Sequence, residues 1–229
     1  MKENAMIREE MAEVFKDLFP FWRDLSKEDR EYLLDNSGAI TYLGGTTIHD
    51  GTECTGVILI KRGSLRVYMM SEDGKDLTLY RLFDGDMCMM SASCVLESIT
   101  YDVCVDAEEN SECYQISGPA FSYLAGKYPY MKIFALEATT NRFSDVMYAV
   151  EQIFFMNIEK RLAIFLLDEM SKTGSATIRL THEQIAKYMG SAREVVSRTL
   201  KNFAAKGIVS LSRGGTTILD KKSLRNLTV

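Results

Sequence analysis

The stretch "THEQIAKYMGSAREVVSRTL", Thr181 to Leu200, decides how the chain is read. Apolar residues recur at helical spacing through "HEQIAKYM" and again through "REVVSRTLKNFAAK", and Gly190 stands between the two runs. Two short helices broken at a glycine, a residue that tolerates a sharp left-handed turn, predict a helix-turn-helix. Thr181 is placed to cap the first helix and Ser191 the second, each by accepting a bond from an amide that the helix leaves unpaired. Downstream, "GIVSLSRGGTTILD" turns at Gly214 and Gly215 and predicts a hairpin, the wing of a winged helix-turn-helix.

Helical geometry decides what the second helix presents. At about 100° per residue, Arg193, Glu194, Ser197 and Arg198 share an arc of roughly 140°, and Val195, Val196, Thr199, Leu200 and Phe203 take the opposite arc. One face packs and the other is free to read. Arginine donates two bonds to guanine, glutamate accepts from the cytosine amino group, and serine meets a base edge or a phosphate. The plainer alternative is a solvated face on which Glu194 and Arg198 form an i, i+4 pair worth about 0.2–0.5 kcal/mol. Thr181, Gln184, Ser191 and Lys201 complete the expected DNA-binding set, with Lys201 as a phosphate contact.

Charge divides the chain in the same place. The 229 residues carry a formal net charge of −5, yet residues 158–229 alone carry +7, which leaves −12 on the remainder. A basic end on an acidic body suits a polyanion at that end only. With 46% hydrophobic and 26% charged residues, the composition is that of a soluble globular protein. No run of eighteen apolar residues occurs, and "MKENAMIREEMAEVF" alternates charged with apolar positions. Neither a membrane span nor a signal peptide is expected, and the cytoplasm is the expected location.

From Gly38 to Ser117, β-rich runs such as "GVILIKRG", "SLRVYMM", "LTLYRLF" and "YDVCVDA" are separated by turn signals at Gly44-Gly45, Asp50-Gly51, Asp73-Gly74 and Asp84-Gly85. Turns at that rate predict a compact β sandwich or barrel. After Pro129, "YMKIFALEATTNRFSDVMYAVEQIFFMN" has neither glycine nor proline, and its apolar residues recur at three- and four-residue intervals. One helix of that length spans roughly 40 Å, more than a small β domain covers. The stripe with Phe143, Val146, Met147 and Val150 is therefore expected to pair with a second copy in a homodimer.

The quoted helix-turn-helix, the long helix before it and the glycine-punctuated β region together resemble the Crp/Fnr family of bacterial transcription regulators over nearly the whole chain. The resemblance implies an α+β fold: an N-terminal double-stranded, jelly-roll-like β-roll sensor with an N-terminal helix at residues 1–125, a dimerisation helix at 126–157 and a winged helix-turn-helix at 158–229. It implies that Arg193, Glu194, Ser197 and Arg198 read bases in a palindromic, TGA-containing DNA site. Arg193 with Glu194 and Arg198 is similar to the Crp-like reading set, whereas Glu194, Ser197 and Arg198 are similar to the Fnr-like one. RNA polymerase is an expected partner if the protein activates.

The sensor half departs from the better-known members. Met89-Met90 stands where cyclic-AMP binders place Gly-Glu, and Thr100-Tyr101-Asp102 stands in place of their basic motif, so Asp102 would repel a cyclic phosphate. Cyclic AMP is not expected and no cofactor is required. An Fnr-like iron-sulfur cluster needs cysteines near the N-terminus, and none precedes Cys54. The five cysteines, Cys54, Cys88, Cys94, Cys104 and Cys113, lack CxxC spacing, which predicts reduced thiols. The alternative is a small-ligand-binding or redox/metal-sensing module with DNA binding secondary or lost, in which Cys88 and Cys94, with Cys104 further on, meet haem, a metal or an oxidant. Catalysis has little support: GxSxG, Walker and HExxH motifs are absent and the β region holds only His49. His182 is read as a phosphate contact or a surface residue.

Overall fold

The computed structural model describes residues 2–51, 54–72, 74, 76–89 and 103–228. Met90, Cys94, Thr100, Tyr101 and Asp102, on which part of the sensor reading rests, lie outside the described residues. The chain divides into two compact units, residues 1–70 with 79–146 and residues 71–78 with 147–229.

The first unit opens with α1 (Lys2–Leu18), a 3₁₀ turn (Pro20–Arg23) and α2 (Lys27–Asp35). The roll follows: β1 (Ser37–Tyr42), β2 (Thr47–His49), β3 (Val57–Arg62), β4 (Leu65–Met70), β5 (Asp76–Leu82), β6 (Met87–Cys88), β7 (Cys104–Ala107) and β8 (Ser111–Ile116). They form two four-stranded sheets, ordered β1-β8-β3-β6 and β2-β7-β4-β5. Strand β3 shows why its sequence reads "VILI" without alternation. Ile58 and Ile60 enter the roll interior with Leu65, Val67, Val105 and Cys113, while Val57 and Leu59 face the helices. Successive side chains of a strand point to opposite faces, so a strand covered on both is apolar throughout.

The covering layer is aromatic. Phe15 of α1 and Phe19, which stands between α1 and the 3₁₀ turn, meet Phe21 and Trp22 of that turn, with Phe19 and Phe21 stacked at 4.9 Å between centroids. Phe134 closes over both edge-on. Each such ring contributes about 1.5–3 kcal/mol by leaving water, and edge-to-face pairs add to that.

Helix α3 (Gly118–Lys127) leads into α4 (Pro129–Phe155), one uninterrupted helix of 27 residues. Ile133, Leu136, Phe143, Met147 and Phe154 are exposed along it. With Thr140 and Val150 they fall on a strict 3.5-residue repeat, the spacing of a coiled-coil seam. Val146 lies off that seam and packs against the roll core instead.

The second unit contains α5 (Ile158–Thr173), β9 (Thr177–Ile178), α6 (His182–Met189), α7 (Arg193–Ala205), β10 (Val209–Ser212), β11 (Gly215–Ile218) and α8 (Lys221–Asn226). Asn157 caps α5 by accepting from the Lys160 amide at 2.9 Å. Leu162 and Leu166 of α5, Ile185 of α6, and Val196, Leu200 and Phe203 of α7 bury one another in a single core. Strands β10, β11 and β9 make a three-stranded antiparallel sheet, so the expected wing hairpin is present and turns at Arg213-Gly214.

Gly215 has a φ of 134°, and a Cβ there would lie 2.1 Å from the Ile178 carbonyl oxygen; on Gly214 it would meet only Ser212 Oγ at 3.7 Å. Gly215→Ala should therefore destabilise the winged-helix unit by about 2 kcal/mol or more, and Gly214→Ala by under about 1 kcal/mol. Urea midpoints measure both, and equal shifts would contradict the assigned turn.

Candidate nucleic-acid interface

The reading helix is positioned by local chemistry at both of its neighbours. Thr181 Oγ1 accepts from the Gln184 amide at 3.1 Å and Gln184 Oε1 accepts from the Thr181 amide at 2.9 Å, a complete capping box. Both site residues are thus engaged at the start of α6, with the Thr181 hydroxyl proton and the Gln184 amide protons left to donate outward. At the other end of α6, Gly190 takes the left-handed conformation with φ 56°. Arg161 of α5 donates to the Met189 carbonyl and ties that end down.

Ser191 does not cap α7, contrary to the sequence expectation. Its amide donates to the Ala186 carbonyl at 2.9 Å, closing α6 around Gly190, and the residue before α7 is Ala192, which offers no side-chain cap. The residue after a left-handed glycine closes the preceding helix through its backbone amide, and the cap position of α7 falls one residue later, on Ala192.

Helix α7 divides as its sequence indicates. Val196, Thr199, Leu200 and Phe203 are buried, while Arg193, Glu194, Arg198 and Lys201 are exposed. Among the described residues no ion pair engages Glu194 or Arg198, so the i, i+4 alternative is not what the structure forms. Ser197 is half-buried and its Oγ lies 2.7 Å from His182 Nδ1.

Beside these residues opens a cleft lined by Arg179, His182, Arg193 and the wing's Arg213. Arg179 and Arg213 escaped the sequence reading. The available signals were their places, two residues before the capping threonine and directly before the Gly214-Gly215 pair, in the hairpin turn itself. Three guanidinium groups around one concavity attract phosphate, and the amino end of α6 adds its partial positive charge. Burial, then Arg193 and Lys201, pushes the His182 imidazole below its ordinary value.

The roll holds the sensor candidates. Cys88 and Cys113 are buried and in no disulfide, and burial pushes the Cys113 thiol up to about 12, which suppresses the thiolate. Cys104 is likewise in no disulfide, but Cys54 is disulfide-bonded, which corrects the expectation of reduced thiols throughout. An odd cysteine count without CxxC spacing disfavours a framework and a zinc finger, but not a single distant pair. Among the described residues no group of three His, Cys, Asp or Glu is placed to hold a metal ion, and no helix is long and apolar enough to cross a membrane.

Residues 160–227 match the family model of the Crp-like helix-turn-helix domain, and residues 43–128 that of the cyclic nucleotide-binding domain. A solved structure assigned to the Crp/Fnr transcriptional regulators of Eubacterium rectale is 41% identical, covers 93% of this chain and 99% of its own, and superposes with a TM-score of 0.87. The cAMP-activated global transcriptional regulator CRP of Pasteurella multocida is 25% identical over 180 residues, 76% of this chain and 85% of that protein. The anaerobic regulatory protein of Haemophilus influenzae is 26% identical over 187 residues, 78% of this chain and 71% of that protein. A winged helix with a free basic reading face, carried by the same chain as a β-roll, defines a DNA-binding transcription regulator. The chain belongs to the Crp/Fnr family.

The lowered His182 value has a sign that can be tested. The unfolded chain binds the proton more readily than the folded one, so stability is complete above the ordinary histidine range near 6.5 and declines as pH falls through it. Denaturation midpoints between pH 7.5 and 5.5 should fall more steeply for the wild type than for His182→Gln; matching slopes would contradict the assignment.

Proposed function

We propose that the protein binds an inverted repeat as a homodimer and reads each half-site with Arg193, Glu194, Ser197 and Arg198. The observation that carries this reading is the exposed arc of α7, whose charged heads form no ion pair among the described residues while the opposite arc is fixed in the core. Arg198 suits the guanine and Glu194 the cytosine of the G·C pair in a TGA-type core, and Thr181, Gln184, Lys201, Arg179 and Arg213 suit the flanking phosphates. Ser191, whose amide is committed to the end of α6, serves the turn.

Pairing of two α4 seams about a two-fold axis accounts for the exposed Ile133, Leu136, Phe143, Met147 and Phe154. Such a pair sets two recognition helices about 34 Å apart, one turn of DNA. The family relationship supports an effector-controlled regulator; the CRP relative is cAMP-activated. In sequence, Thr100-Tyr101-Asp102 replaces the basic motif of the cyclic-AMP binders, and the effector is another ligand or none. No cofactor is required at the cysteines. The regulator works in the cytoplasm and, where it activates, contacts RNA polymerase.

Selection of bound sequences from a random DNA pool tests the proposal. An inverted repeat with a TGA core is the expected product; GTGA half-sites would assign a base to Arg193 and TTGA half-sites would not. Arg198→Ala should weaken the selected site by about 1–3 kcal/mol per half-site and relax the guanine position. Lys201→Ala should weaken all sequences alike and reduce the salt slope by about one for each phosphate no longer neutralised. A pool without any palindrome would overturn the reading.

A further inference from the structure

Within the reading arc of α7, Ser197 is the one residue whose side chain is already engaged by another helix. Its Oγ sits 2.7 Å from His182 Nδ1, across from the first turn of α6. Thr199, two residues on, takes the usual course for a helical hydroxyl and donates to the carbonyl four residues back, Val195, at 2.9 Å. A serine has three staggered positions for one small oxygen, and on a free helix face all three are within thermal reach. The contact to His182 selects one of them.

The histidine is itself well held. It follows the capping residue Thr181, whose box with Gln184 fixes the first turn of α6, and Ile185, Ala186 and Met189 anchor the rest of that helix in the core. A side chain borne on a fixed helix end is a suitable template for a neighbour that must present an atom to a base edge within a fraction of an ångström.

We propose that His182 is a positioning residue for base recognition: it orients the Ser197 hydroxyl towards one base of the half-site and settles which hydrogen-bonding role that hydroxyl offers. If Ser197 donates to Nδ1, it has only lone pairs left for the base; if it accepts from Nδ1–H, it has its proton left to donate. Either arrangement narrows the bases that satisfy it. The half-buried setting beside Arg193 and Lys201 disfavours the imidazolium, so the contact is made by a neutral ring whose tautomer fixes the role left to the hydroxyl. The inference rests on the base-reading role proposed above for α7, and it is distinct from a phosphate contact by His182, which would be blind to sequence.

A double-mutant cycle scored on sequence preference separates these possibilities. Relative affinities for all four base pairs at each half-site position are measured for the wild type, Ser197→Ala, His182→Ala, the double variant and His182→Asn, whose amide places a polar atom close to the position of Nδ1. His182→Ala should lower discrimination about threefold or more at the position that Ser197→Ala affects and nowhere else. The double variant should be no less selective than Ser197→Ala alone, and His182→Asn should restore most of the preference.

A uniform loss across sequences, persisting in the Ser197→Ala background with a reduced salt slope, would make His182 a phosphate contact and overturn the proposal. Unchanged preference in His182→Ala would overturn it as well. If Ser197→Ala itself alters no base preference, the proposal falls while recognition by Glu194 and Arg198 stands; if the wild type discriminates no sequences, the base-reading function itself has failed. Should thermal melting show that His182→Ala is unfolded, His182→Leu, with similar bulk and no ring nitrogen, takes its place in the cycle.

Discussion

Burial of Val196, Leu200 and Phe203 fixes the rotation of α7 about its own axis, and every functional statement about the reading face depends on it. A helix turned by one residue, about 100°, would exchange arginine for valine in a DNA groove. The partners that hold those three side chains come from α5, α6, the wing and α8, so the reading face is set by the whole winged-helix core. Removing a buried leucine or phenylalanine from such a core typically costs about 2–5 kcal/mol. The resulting rigidity is what the proposed reading by Arg193, Glu194, Ser197 and Arg198 requires.

The same economy of faces governs the roll. Strand β3 carries Ile58 and Ile60 into the interior and Val57 and Leu59 against the aromatic helices, so that one short run serves two cores. Arg142 of α4 binds Asp86 at 3.0 Å and lies over the Tyr80 ring at 5.3 Å, joining the helix to the edge of the roll. A partly desolvated arginine held both by a carboxylate and by an aromatic face is a firm point of attachment.

Much of this was encoded in local pattern. The two helices around Gly190, the wing, the long helix and the turn-separated strands are short-range features, and periodicity with glycine placement suffices to find them. The capping box was half visible, since Thr181 was expected to cap while Gln184 completes the box. What escaped depends on tertiary placement. Ser191 carries a good capping side chain, but its backbone amide closes α6 and the cap position of α7 falls on Ala192. Val146 fits an apolar stripe by spacing, yet the roll claims it and leaves the seam through Phe143 and Met147 exposed. Arg179 and Arg213 join Arg193 only after the wing folds back beside α6, and the His182–Ser197 contact spans fifteen residues of sequence. The bond at Cys54 likewise needs a partner that no spacing rule indicates.

The central claim is that two copies of one fixed α7 face read DNA in phase with its helix. Binding to the selected inverted repeat, compared with the same half-sites separated by about five or ten further base pairs, tests it most directly, because the helix repeats about every 10–10.5 base pairs. Added spacing of about five base pairs places one half-site on the opposite side of the duplex and should reduce affinity to that of a single half-site. Equal affinity at all three spacings would show that the half-sites are read independently and would contradict the account.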